Sequence, residues 1–159
     1  MTDPAQYSGV GDDSAASPMT TGFNPAERAL AGFWIRFGAR FLDGVLLALV
    51  GVVLRAIFGD AGSGLANLVA AAYFTYFHAQ PAGQSLGDRV LGIRIVDAET
   101  GGQIDYIRAF IRWLVSLVSG FVLLIGYLWM LFNDRKQTWH DIAARTLVVR
   151  ARDYPPPAA

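Results

Sequence analysis

The chain has 159 residues, 53% of them hydrophobic, with thirteen basic and thirteen acidic side chains and a formal net charge of zero. That length suits one domain, and the apolar residues fall in blocks, which with a mean hydropathy of +0.36 places the chain among membrane proteins. The absence of cysteine excludes a disulfide framework and a thiolate metal site. With no basic run and no nucleic-acid motif, the expected partners are the lipid bilayer and either further copies of the chain or another membrane protein, and no nucleic acid.

Residues 1–25 are rich in Pro, Ser, Gly and Asp, with no basic start and no apolar core, so they read as a disordered tail and not as a signal peptide. Helix one is expected to start near Pro25, capped by Asn24. Its body, Phe33 to Phe58, is long enough to cross a hydrocarbon core of about 30 Å at about 1.5 Å per residue. Arg36, Arg40 and Asp43 fall in one sector of that helix. Charges at membrane depth face protein or water, so the rest of the chain should supply their partners. Gly44 and Gly51 lie near the same sector and suit close helix approach.

The connection GDAGSG carries no Lys or Arg and lacks the lysine of a phosphate loop. Helix two is expected from about Leu65 to His78, short for a span unless residues 61–64 contribute. Asn67, Ala71, Phe74 and His78 share a face that can meet the ionic stripe, although His78 reads more simply as an interfacial residue at a helix end. The polar segment from Gln80 to Tyr106 begins with a capping-box pattern, Ser85-x-x-Asp88. Arg89–Val96 is rich in β-branched residues, DAETGG turns the chain, and Gln103-Ile104 suits the start of a return strand.

The third apolar stretch runs from Ile104 to Phe132. Asp105, Arg108, Arg112, Ser116 and Ser119 form a second polar stripe at i+3 and i+4 steps, and Trp113 to Phe132 holds no charge. Thr138 then caps a short helix, Thr146–Arg150 reads as a strand, and residues 151–159 as a second disordered tail. No internal repeat is evident.

Basic residues flank the first helix (Arg28, Arg36, Arg40), fill the middle loop (Arg89, Arg94, Arg108, Arg112) and follow the third stretch (Arg135, Lys136, Arg145, Arg150, Arg152). The positive-inside rule asks all three regions to be cytoplasmic. A re-entrant hairpin breaking near Ser119-Gly120 satisfies it and lets Arg89–Val96 pair with Thr146–Arg150. The uncharged length from Trp113 is instead what a third span looks like. The expected fold is therefore a mainly α membrane protein, with two transmembrane helices, a third hydrophobic segment that is a re-entrant hairpin or a third span, and a small cytoplasmic β/loop cap. One domain at 26–150 would be multi-pass in the cell (plasma or inner) membrane.

FWIRFGARFLDG, QSLGDRVLGIRIVDAETGG, RAFIRWL and TWHDIAARTLVVR, in that order and spacing, resemble the RDD family of small, mainly bacterial membrane proteins over Ala31 to Arg150. The resemblance implies Arg36, Asp43 and Asp141 as the family's arginine and two aspartates, with Arg40 competing for the arginine position. The roles it implies are accessory or regulatory subunits of membrane complexes, transport of unidentified ligands, and cation/proton exchange.

Asp43 reads either as a cation- or proton-binding carboxylate tuned by Arg36 and Arg40, or as a structural ion pair to the third segment through Arg108 or Arg112. Asp141 reads as the N3 member of a capping box, Thr138-x-x-Asp141, and compatibly as a partner of a surface arginine closing a network with Arg36. His78 and His140 are the only histidines. The His140-Asp141 pair thus lacks the converging ligands of a metal site, and no serine sits in a nucleophile elbow. No enzymatic activity and no cofactor are expected. Tyr73, Phe74, Tyr76, Phe77, Tyr127 and Trp129 read as belts and packing surfaces. The expected function is an accessory or regulatory subunit, the alternative an oligomeric transporter of small ions using Asp43 with Arg36, supported by Arg40, Arg108, Arg112, His78 and His140.

Overall fold

A computed structural model describes residues 25, 29–121 and 128–155. The expected tail at residues 1–24, the Asn24 cap, Arg28 and Tyr127 lie outside the described residues. The elements in order are α1 (Phe33–Phe58), α2 (Asp60–His78), α3 (Leu86–Val90), β1 (Ile93–Asp97), α4 (Tyr106–Phe121), a single 3-10 turn at Trp129–Leu131, α5 (Trp139–Ala143) and β2 (Thr146–Arg150). The protein is mainly helical, with one two-stranded sheet.

Helix α1 is the one element among the described residues that is long and apolar enough to cross a membrane. It is packed inside out. Its buried residues are Arg36, Ala39 and Asp43, while Phe37, Phe41, Leu49, Val52, Val53 and Ile57 are exposed. A helix apolar on most sides and buried only along a charged strip suits a lipid surround. It starts at Phe33, not near Pro25. The preceding residues do other work: Ala31 N donates to Val148 O at 2.9 Å and Leu30 bridges Val149, so this stretch lines the edge of β2. Gly59, at φ +60°, makes a one-residue reversal into α2, which begins at Asp60 and so uses residues 61–64. Asn67 is exposed and does not meet the ionic strip. A Cβ on Gly44 would have open space, whereas one on Gly51 would lie 3.5 Å from Ala66 of α2, so of the two only Gly51 sits at a helix contact. Tighter approaches to α1 are made by Gly62, against Leu54, and by Gly87, where a Cβ would run into the Ala39 carbonyl.

Strand β1 pairs antiparallel with β2, Ile93 opposite Arg150 and Asp97 opposite Thr146. The return strand expected at Gln103-Ile104 does not form, because β2 takes that pairing. One face of the sheet, with Ile93, Ile95 and Val148, packs on Ala31, Ala39, Ala79, Ile104 and Ala109. The other, with Val96, Leu147 and Val149, packs on Leu30, Ala98 and Tyr154. The chain beyond β2, expected to be disordered from residue 151, stays on the cap up to Pro155: Arg94 Nη1 donates to Pro155 O at 2.7 Å.

The cap contains an internal repeat where none was expected. Two stretches match at a constant offset. Gly83 and Lys136 both have positive φ. Gln84 and Gln137 each send their side-chain amide to a strand carbonyl, Ile93 O at 2.7 Å and Thr146 O at 2.9 Å. Ser85 and Thr138 precede five-residue helices with Asp88 and Asp141 at N3. Gly92 and Arg145 again have positive φ, and a five-residue strand follows each. The pairing centre, Ile95 opposite Val148, holds the same offset, so the two units face each other about a local two-fold. The helices echo this: Ile35-Arg36-x-x-x-Arg40-Phe41-Leu42 in α1 corresponds to Ile107-Arg108-x-x-x-Arg112-Trp113-Leu114 in α4. Helix α1 packs on α3 as α4 packs on α5.

Helix α4 runs through Ser119 and Gly120 to Phe121; residues 122–127, where a break near that point would fall, lie outside the described residues. Its polar stripe does face protein: Ala109, Arg112 and Ser119 are buried, and Asp105 caps it by accepting from Arg108 N at 2.8 Å.

Candidate functional site

The charged side chains expected to cluster divide into two buried groups at the cap end of α1. The first is built on Asp141, which has no solvent exposure. Its position is local in origin: as N3 of α5 it accepts from Thr138 N at 3.0 Å through Oδ2. Its remaining capacity is taken by two guanidiniums, Arg36 Nη1 on Oδ2 and Arg112 Nη1 on Oδ1. Arg112 also donates to Thr146 Oγ1 at 2.6 Å. One carboxylate therefore ties α1, α4, α5 and β2 together. Burial alone would raise the Asp141 pKa, but the charges of Arg112 and then Arg36 outweigh it and hold the carboxyl well below the usual range. His140 beside it is pushed well below the normal imidazole value by burial, so it is neutral at pH 7.

The second group is built on Asp43, 1% exposed. The pairing expected with Arg108 or Arg112 is not made. Asp43 instead accepts three neutral hydrogen bonds, from Tyr73 Oη at 2.7 Å, Ser85 Oγ at 2.6 Å and Gly87 N at 2.8 Å. A buried carboxylate needs such donors. Tyr73, read from sequence as a belt residue, also accepts from Leu86 N at 2.9 Å through the same hydroxyl. His78 is buried, not interfacial, with Nε2 at 3.4 Å from Asp88 Oδ2. Asp88 lies well below its ordinary pKa: burial would raise it, and the adjacent His78 ring and the Arg40 charge more than offset that.

Arg108 serves a third place. It pairs with Asp97 and its Nε donates to Ala144 O at 2.8 Å, locking the start of α4 to the end of β1 and to the turn after α5. The Asp97 carboxyl is lowered to about 2: burial opposes ionisation, but the Thr100 amide and the Arg108 side chain favour it more. Arg40 stands apart. Its guanidinium lies 4.7 Å from the Phe74 ring centroid, and it lines a cavity of about 390 Å³ shared with Arg36, Arg112, His140 and Thr138. Among the described residues no three His, Asp or Glu side chains converge as metal ligands.

The structure thus joins Arg36, Arg112, His140 and Asp141 and brings Arg40 to the same cavity. It separates Asp43, His78 and Arg108 from them. Sequence reasoning missed Tyr73, Ser85 and Asp97 as charge partners. The available signal was the capping serine: a hydroxyl at a helix start, facing the helix that carries a lone carboxylate, is a donor in want of an acceptor.

The RDD family profile matches residues 30–145. The uncharacterized protein YxaI of Bacillus subtilis is 25% identical, covering 75% of this chain and 96% of its own length. YckC, an uncharacterized protein of the same organism, is 27% identical over 76% of this chain and 85% of its own length. An uncharacterized protein of Haemophilus influenzae is 23% identical over 82% and 85%. No solved structure matches the chain.

Proposed function

Because the chain belongs to the RDD family of membrane proteins, we propose that it is a multi-pass, non-enzymatic accessory or regulatory subunit of a complex in the cell membrane. In this reading α1 and α2 cross as an antiparallel pair. The third segment enters from the cap side and returns to it, and the basic cap is cytoplasmic. The return is supported by Arg112 and Asp141, which stand on opposite sides of the uncharged stretch and yet meet. The far end of the helix pair carries one basic residue, Arg55, beside Asp60 at 3.5 Å, a charge balance compatible with the outer side.

The observation that carries the subunit role is the consumption of the acidic groups. Asp43 has three donors and Asp141 two guanidiniums and an amide. A carboxylate that cycles protons or cations needs capacity left for them, and these two have little. The exposed apolar face of α1 is available to lipid or to a partner helix.

Reconstitution into proteoliposomes tests this. The purified chain should give no Na⁺-, K⁺- or Li⁺-dependent proton flux, and mild-detergent extracts should hold it with a membrane protein at fixed stoichiometry. Cation-dependent proton flux that Asp43→Asn abolishes, with the fold intact, would establish the transporter instead.

A further inference from the structure

The cavity beside α1 is lined by both charged and apolar side chains. The charged ones are Arg36, Arg40 and Arg112 with Asp88. Arg36 and Arg112 are buried to nine-tenths or more, and each gives one Nη1 to Asp141. Arg36 Nε and Nη2 and Arg112 Nε have no hydrogen-bond partner among the described residues. Arg40 makes its cation–π contact with Phe74 and, among the described residues, no hydrogen bond or ion pair. Thr138 Oγ1, also buried in the lining, has no hydrogen-bond partner among the described residues. Its counterpart in the internal repeat, Ser85 Oγ, donates to a carboxylate oxygen of Asp43. The one carboxylate in the lining, Asp88, is engaged by His78 and by Ser85 N at 3.2 Å.

The apolar lining includes Phe33, Phe37, Phe41 and Leu128. Phe37 is 52% and Phe41 61% exposed, so the aromatic ridge continues from the cavity onto the outer surface of the apolar helix. Buried guanidinium donors without acceptors are costly, and an anionic oxygen group is what matches them. The apolar walls match a chain attached to it.

We propose that this cavity binds an anionic amphiphile, with a phosphate or carboxylate head on Arg36, Arg40 and the free edge of Arg112, and an acyl chain along Phe33, Phe37 and Phe41. The assignment is independent of the accessory role. It places a specific anionic lipid, and not the bulk bilayer, between α1 and the cap.

Native mass spectrometry of the full chain, with phosphatidylglycerol, phosphatidylcholine of the same chains, or inorganic phosphate added, tests it. One phosphatidylglycerol per chain should be retained at least about tenfold better than phosphatidylcholine, the scale of one charge-assisted hydrogen bond. Arg40→Gln, which breaks no ion pair, should remove that preference, and Phe37→Gln should weaken lipid retention. Arg55→Gln, at the far end, should change neither. Equal retention of the two lipids, an unchanged preference in Arg40→Gln, or displacement of phosphatidylglycerol by equimolar inorganic phosphate would each overturn the proposal.

Discussion

At Asp141, burial and charge pull in opposite directions. Removing a carboxylate from water is expensive, and removing it together with two guanidiniums is tolerable only while all three stay bonded. Asp141→Asn should therefore destabilise the protein by about 3–5 kcal/mol, the cost of leaving buried charges uncompensated, read as a lowered unfolding midpoint in detergent. The pH dependence follows the same logic. The folded pKa lies well below the unfolded value of about 3.9. The contribution is thus complete above that value and is lost as pH falls through it toward the folded pKa. The Asp141 contribution should hold down to about pH 4 and decline below it. It adds to an earlier decline from about pH 6.5 that buried, neutral His140 imposes because the unfolded chain protonates there first. Asp141→Asn should flatten only the limb below about pH 4. Arg36 and Asp141 were linked in the sequence by the family resemblance, because Asp141 sits in a polar stretch that by itself reads as a helix cap. Asp43 was legible as buried but not in its partners: hydroxyls and amides leave no charge pattern in a sequence.

Short elements carry the cap, and their starts were readable where a side chain sets them. Ser85-x-x-Asp88 and Thr138-x-x-Asp141 mark α3 and α5 because N-terminal amides need acceptors. Thr146–Arg150 was readable from its β-branched run. The start of α1 was not, because edge pairing of Leu30 and Ala31 with β2 is a tertiary event. The internal repeat was overlooked although Gln-Ser/Thr-x-x-Asp recurs at 84–88 and 137–141, because its other shared features are backbone angles and amide-to-carbonyl bonds, compatible with Gly83 against Lys136 and Gly92 against Arg145. Gly87 shows how tightly α3 sits on α1. A methyl there would meet the Ala39 carbonyl and approach Asp43 Cγ to 3.0 Å. Gly87→Ala should cost about 1–3 kcal/mol by overpacking, whereas Gly44→Ala, with open space around it, should stay within about 0.5 kcal/mol; paired thermal unfolding curves distinguish them. Gln84→Ala and Gln137→Ala should cost similar amounts, about 1–3 kcal/mol each for an orphaned strand carbonyl, if the two units are equivalent.

For the whole molecule, the decisive feature is that both flanks of the third apolar segment end on one cap. The sheet is closed by strands from either side of it, and Asp141 reaches back to Arg36 and Arg112 across it. Charge distribution along the sequence favoured this arrangement and hydrophobic length opposed it; the contacts follow the charges, since a strand pair and three buried ionic groups gain only when brought to the same end. The chain has no cysteine, so single-cysteine variants report position cleanly. Glu99→Cys and Arg152→Cys replace exposed cap residues, and Asp60→Cys an exposed residue at the far end of the helix pair. Labelling with a membrane-impermeant thiol reagent, on intact cells and on inverted vesicles, should reach positions 99 and 152 from the cytoplasmic side and position 60 from the opposite side. Labelling of 152 together with 60, and apart from 99, would contradict the closure of the cap around Asp141.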